Sequence, residues 1–160
     1  MKPMFISTSK FAPFLAIALL STASLWASDP PVLFEAMDDG NIAFTSSTSA
    51  NLAGSGIANT AGEVTSAGAI AITGPATICA KGFAATIAGA FTAATGVIKY
   101  TISNQLCPTA VAGIYRGIGS FTITGGTGSF VGASGGGLFH GLADFTGFKY
   151  HCFLQGLIFH

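Results

Sequence analysis

The chain predicts an all-β fold, a small antiparallel eight-stranded β-barrel, and three observations carry that expectation. Within Arg116–Gly141, Phe121 and Ile123 fall on one strand face, while Ser120, Thr122 and Thr124 fall on the other. Period-two alternation in a β-branched and aromatic run marks a half-buried strand. Similar short runs recur at fairly even spacing, separated by glycine, proline and serine and by no helical interlude, which leads to a sandwich or a barrel. Finally, only 8% of the residues are charged, so no long charged helix face can be written. Alanine is abundant, but it alternates with Thr, Ile and Gly rather than recurring at the helical period.

Taken in order, residues 1–27 are expected to stand apart from the fold. Lys2 and Lys10 form a positive start, Phe11–Leu20 a short apolar core, and Ser21, Ala23 and Ala27 offer cleavage points. This is the layout of a secretory signal peptide. The apolar run is shorter than the roughly 20 residues that span a bilayer. Cleavage after Ala23 leaves Ser21 near the cut and fits the small-residue rule better than cleavage after Ala27, which leaves Leu25 there; both stay open. Residues 28–40 are expected as an N-terminal extension, proline-led and closing in a turn at Asp38-Asp39-Gly40, and 41–160 as the barrel domain.

Eight strands are expected, at about 41–46, 52–58, 63–73, 83–92, 96–103, 114–124, 130–145 (bulged) and 148–159. Gly74-Pro75, Thr95-Gly96, Cys107-Pro108 and Gly147 punctuate them. Gly125-Gly126-Thr127-Gly128 offers residues free to take positive φ, as a tight reversal requires, and Phe130 and Val131 then restart the chain. Alternation puts Ile42, Phe44, Val64, Ile70, Ile72, Ile87, Phe91, Ile98, Tyr100, Ile102, Phe121, Ile123, Phe139, Phe145, Tyr150, Leu154 and Ile158 inside. Eight strands leave room for side chains or for one small ligand. A filled core is the plainer expectation, and a cavity lined by Phe and Tyr is the other.

The run Ile123–Gly137, ITGGTGSFVGASGGG, resembles the glycine turn of secreted bacterial proteins with an allene oxide cyclase barrel-like domain. That superfamily also contains the plant dirigent proteins. Gly56–Gly74, GIANTAGEVTSAGAIAITG, is similar to the early strand pair of the same proteins. The resemblance implies a small closed barrel of the calycin or allene oxide cyclase kind, and little about chemistry. Allene oxide cyclase steers a cyclisation with a glutamate and an asparagine on early strands, and no segment around Ile42–Ile57 carries that pattern. The acidic and arginine set of dirigent proteins is not recognisable either.

Past residue 27, Lys81, Lys99, Arg116 and Lys149 stand against Asp29, Glu35, Asp38, Asp39, Glu63 and Asp144, a net charge of 4 − 6 = −2. With no basic stripe, nucleic acid is not an expected partner. Cys79, Cys107 and Cys152 lie in the exported part. An oxidising compartment favours one bridge, and Cys79–Cys107 is the preferred pair because both lie at strand or loop ends. Cys152 falls mid-strand, where a buried inert thiol is the default. His140, His151 and His160 match no compact ligand spacing, so no metal is expected and surface or rim positions are.

Glu63, Asp144 and Arg116 are weak catalytic candidates: the two carboxylates flank strands, and the lone arginine precedes the central one. Solvated rim charges are the plainer reading of all three. Gly125–Gly128 lacks the helix and lysine of a phosphate cradle, so no cofactor is expected. The barrel-lining residues that would meet a guest are Phe44, Ile72, Phe91, Tyr100, Phe121, Phe139 and Tyr150. The function expected is that of a secreted or periplasmic small barrel, structural or binding a small apolar molecule, leaning away from an enzyme. One alternative is a cyclase or isomerase, as the resemblance permits. The other is an eight-stranded outer-membrane barrel, against which Lys99, Thr101 and Ser103 spoil the outer face of one strand.

Overall fold

The computed structural model describes residues 30–160, so the expected signal peptide lies outside the described residues. Eight strands follow one another, β1 (Val32–Phe44), β2 (Ser49–Ala58), β3 (Gly62–Pro75), β4 (Phe83–Ala93), β5 (Gly96–Pro108), β6 (Ile114–Gly128), β7 (Ser134–Asp144) and β8 (Lys149–Phe159). Each pairs antiparallel with the next, and β1 pairs with β8 to close the cylinder in simple up-and-down order. Closure leaves no free edge, so every strand's backbone is paired on both sides.

The barrel begins earlier than the sequence suggests. β1 starts at Val32, inside the span expected as an extension, and the Asp38-Asp39-Gly40 turn does not form. An Asp-Asp-Gly run is turn-prone in isolation. Here Asp38 pairs with Gly56 of β2 on one side and Cys152 of β8 on the other, which holds the backbone extended.

The glycine-rich reversal also lies elsewhere. β6 continues through Gly125–Gly128, and a bulge between Lys99 and Tyr100 of β5 takes up the extra residue Thr124. Gly125, at φ 139°, supplies the backbone conformation that this bulge demands. The reversal itself is Ser129–Ala133, and β7 starts only at Ser134. Phe130 therefore does not restart a strand; it is buried in the β6–β7 connection, where its ring stops that end of the barrel.

The expected inward face holds. Ile42, Val64, Ile87, Phe91, Ile98, Tyr100, Ile102, Phe121, Ile123, Phe139, Leu154 and Ile158 are buried, and Ile70, Ile72, Phe145 and Tyr150 are half-buried. Phe44 is the exception, 44% exposed. It has inward parity but ends β1 at the rim, where it packs edge-on against Phe145 and Phe148. Phe34 of β1, outside the expected barrel, is instead among the most buried residues and meets Phe121 with ring centroids 5.7 Å apart.

Two apolar clusters divide the interior. The larger includes Phe34, Phe121, Phe130, Leu154 and Ile158; the smaller, towards the rim with Phe44, includes Ile42, Ala50, Ala85, Leu106 and Ala143. The β1–β2, β3–β4, β5–β6 and β7–β8 connections all gather at that rim. There the expected disulfide forms between Cys79 and Cys107, with Cα atoms 5.9 Å apart, and ties the β3–β4 connection to the end of β5. Such a bridge is consistent with an extracytoplasmic protein. Cys152 is free and buried, as expected.

Candidate functional site

The site grows from the alternation of β1. Phe34, Ala36, Asp38 and Ile42 share the inward face, so the pleat that buries the aromatic also buries a carboxylate. Asp38 is 1% exposed. Its Oδ2 accepts from Ser66 Oγ of β3 at 2.7 Å and from Tyr150 OH of β8 at 2.7 Å. Ser66 Oγ and Tyr150 OH lie 2.9 Å apart. Each hydroxyl has one proton and spends it on Asp38, so this third approach sets oxygen beside oxygen. Asp38 Oδ1 has no hydrogen-bond partner among the described residues.

This meeting of three strands depends on missing side chains. Gly40 of β1 and Gly54 of β2 face inward between Asp38, Ser66 and Tyr150. A Cβ on Gly54 would fall 2.5 Å from Tyr150 OH, and one on Gly40 would fall 2.6 Å from the same oxygen. The two glycines form a trough in which the tyrosine ring lies flat enough to reach the carboxylate.

Above the trough, towards the rim, a cavity of about 60 Å³ remains. It is lined mainly by apolar side chains, including Ile42, Leu52, Ile70, Ile72, Ile102 and Phe139, with Phe44 and Phe145 at its mouth. That volume takes a few waters or one end of a small molecule, well short of the roughly 300–1,000 Å³ of a drug-sized pocket. The interior is therefore neither completely filled nor widely hollow.

Asn104 of β5 lines the same cavity. It follows Ile98, Tyr100 and Ile102 in inward phase and is 3% exposed. Neither its Nδ2 nor its Oδ1 has a partner among the described residues. A buried amide with nothing to bond costs on the order of 1–3 kcal/mol, so its retention beside an opening invites a bound group.

The electrostatics of the chamber keep its thiol and its two phenols neutral. Burial pushes the Cys152 thiol up to about 12, and the facing Asp38 charge adds to that. Tyr150 is raised first by burial and then by its hydrogen bond to Asp38, against a smaller opposing effect of Ser66. Tyr100 is raised by burial and by the neighbouring Cys152, Asp38 and Tyr150. A thiol held this high is no nucleophile at neutral pH.

The three charged candidates lie away from this chamber. Glu63 is exposed on β3, opposite Ile57. Arg116 is exposed on the outer face of β6, between Cys107 and Leu142. Asp144 ends β7 and caps the following turn, with Oδ1 accepting from the Thr146 hydroxyl at 2.6 Å and from the amides of Thr146 and Gly147. The Thr146 hydroxyl and the Gly147 amide hold its carboxyl below the usual range. His140, His151 and His160 are all exposed, and His151 Nδ1 lies 2.6 Å from Asp39 on the outer surface.

Of the lining residues expected from sequence, Ile72, Tyr100, Phe139, Tyr150 and, at the mouth, Phe44 surround the cavity, whereas Phe91 and Phe121 lie in the larger packed cluster. Asp38, Ser66 and Asn104 were missed. Counting back by twos from Ile42 reaches Asp38, and counting on by twos from Val64 and Ile102 reaches Ser66 and Asn104. Compared with known protein families, curated proteins and solved structures, the chain matches none.

Proposed function

We propose that this protein is an exported small barrel that binds a compact, largely apolar molecule through the rim end of its interior. The single observation that carries the reading is a pair of buried polar groups, Asp38 Oδ1 and Asn104, left without partners beside an apolar cavity. A purely structural barrel gains nothing from such groups, whereas a bound guest satisfies them. The signal-like residues 1–27 and the Cys79–Cys107 bridge support export to the periplasm or beyond. The apolar interior also favours a soluble barrel over an outer-membrane one, whose lumen is polar. Thr86, Thr101, Ser103, Ser120 and Thr122, exposed on the outside of β4–β6, add to that preference.

Mass spectrometry of the natively purified protein tests the reading. A reproducible apolar guest, displaced when Asn104 is replaced by Leu, supports it. An empty barrel that also takes up no apolar fluorescent probe sinks it.

A second reading is a cyclase or isomerase, in keeping with the resemblance of Ile123–Gly137 to allene oxide cyclase barrel-like domains. It is favoured by a carboxylate fixed by two hydroxyls within an apolar chamber, the setting in which acid–base groups act. Asp38, rather than Glu63, Asp144 or Arg116, is then the residue to test.

A further inference from the structure

The geometry points to an ammonium group as the head of the bound molecule: a small primary amine whose charge pairs with Asp38 Oδ1 and whose apolar tail runs towards the rim. This inference rests on the ligand-binding reading above and names the class of its ligand.

Asp38 is a buried acid without a counter-ion. Among the described residues no lysine, arginine or histidine nitrogen stands within ion-pair distance of it; His151 lines the cavity but directs Nδ1 outward to Asp39. Buried carboxylates are ordinarily paired with a cation, because two neutral hydroxyls replace only part of the lost hydration. Ser66 and Tyr150 occupy Oδ2 and leave Oδ1 bare. The missing partner is thus a donor, and a positively charged one satisfies the charge as well as the lone pairs.

The remaining walls suit the same guest. Asn104 offers a carbonyl oxygen that can accept an N–H. Tyr100, Phe139 and Tyr150 present aromatic rings around the cavity, and such rings attract a cation. A carboxylate ligand meets the Asp38 charge at low dielectric with no lysine or arginine on the wall to offset it. An alcohol gains the hydrogen bond and loses the ion pair. A cavity of about 60 Å³ admits the head and a few carbons, and the tail then passes Phe44 and Phe145.

Calorimetric titration of the purified protein at neutral pH with hexylamine, 1-hexanol and hexanoate separates the cases. Hexylamine is expected to bind about tenfold or more tightly than 1-hexanol, with hexanoate weakest. Asp38→Asn, close in shape, is expected to abolish the preference for amine while leaving hexanol binding in place. Asn104→Leu is expected to weaken both amine and alcohol. Equal binding of amine and alcohol, or a preference that survives Asp38→Asn, overturns the ammonium assignment and leaves the apolar-ligand reading standing. Failure of all three probes overturns both. The ranking on the unmodified protein decides the matter even where Asp38→Asn does not fold.

Discussion

Ser66 Oγ and Asp38 Oδ2 lie 2.7 Å apart, although β2 runs between the strands that carry them. The contact is possible because β2 presents Gly54 and Gly56 at the intervening inward positions, so two polar side chains close across a bare strand. Tyr150 reaches the same carboxylate oxygen from β8, which makes Asp38 the junction of three strands.

Gly54→Ala tests the bare strand directly. The new methyl would sit 2.5 Å from Tyr150 OH and press on the Asp39 carbonyl oxygen, which belongs to the paired backbone. A loss of about 1–3 kcal/mol in urea denaturation is expected for such overpacking. A change within about 0.5 kcal/mol, the ordinary range for an unconstrained surface site, would show that the trough yields freely.

The three-oxygen junction should behave as one unit. Tyr150→Phe and Ser66→Ala are each expected to cost about 1 kcal/mol, because each removes one donor to a buried carboxylate. The double variant should depart from additivity by about 0.5 kcal/mol or more, since the two hydroxyls share one acceptor. A double-mutant cycle measured by chemical denaturation gives the coupling. Strict additivity would mean that the hydroxyls act independently.

Alkaline pH should weaken the fold through the buried thiol. Cys152 ionises near 9.0 when unfolded and is pushed up to about 12 by burial in the barrel. Between those values the folded chain binds more protons than the unfolded one, so stability falls as pH rises. The contribution of the thiol is complete below about 9 and is lost by about 12. Tyr100 and Tyr150, both raised, extend the decline beyond their unperturbed value of 10.0. Cys152→Ala should therefore show a shallower fall between pH 9 and 12, read from denaturation midpoints, than the unmodified protein. Parallel curves would assign the decline to the tyrosines alone.

Removing the Cys79–Cys107 bridge should both loosen the rim and lower stability. The bridge spans a sequence separation of 28. In the loop-entropy account a closure of that length contributes about 3–4 kcal/mol. Substituting both cysteines by serine should lower the denaturation midpoint accordingly and increase amide exchange first in Ala76–Gly82, the connection that the bridge anchors. Exchange that rises equally over all strands would point to global rather than local opening.

Much of this architecture is legible in the chain. The alternations Ile98-Tyr100-Ile102 and Phe121-Ile123 placed side chains correctly because a strand's period of two is fixed by the backbone itself. The position of Cys79 and Cys107 at strand or loop ends favours their pairing, but three cysteines leave the connectivity open in the sequence. The fold decides it by bringing their Cα atoms to 5.9 Å. Asp38-Asp39-Gly40 misled for a physical reason: its local preference for a turn is real, and only hydrogen bonds to β2 and β8 override it. Gly125–Gly128 misled similarly, because a glycine run can serve a bulge as well as a reversal.

By itself, then, the sequence determined that the chain forms strands and which faces they bury, since these follow from local periodicity and a shortage of charge. The same periodicity suits a sandwich as well as a barrel. Only the tertiary structure decided that Asp38, Ser66, Tyr150 and Asn104 share one interior. Their strands are far apart in the chain, and the contacts exist because closure pairs β8 with β1 and because β2 offers glycine where a side chain would stand between them.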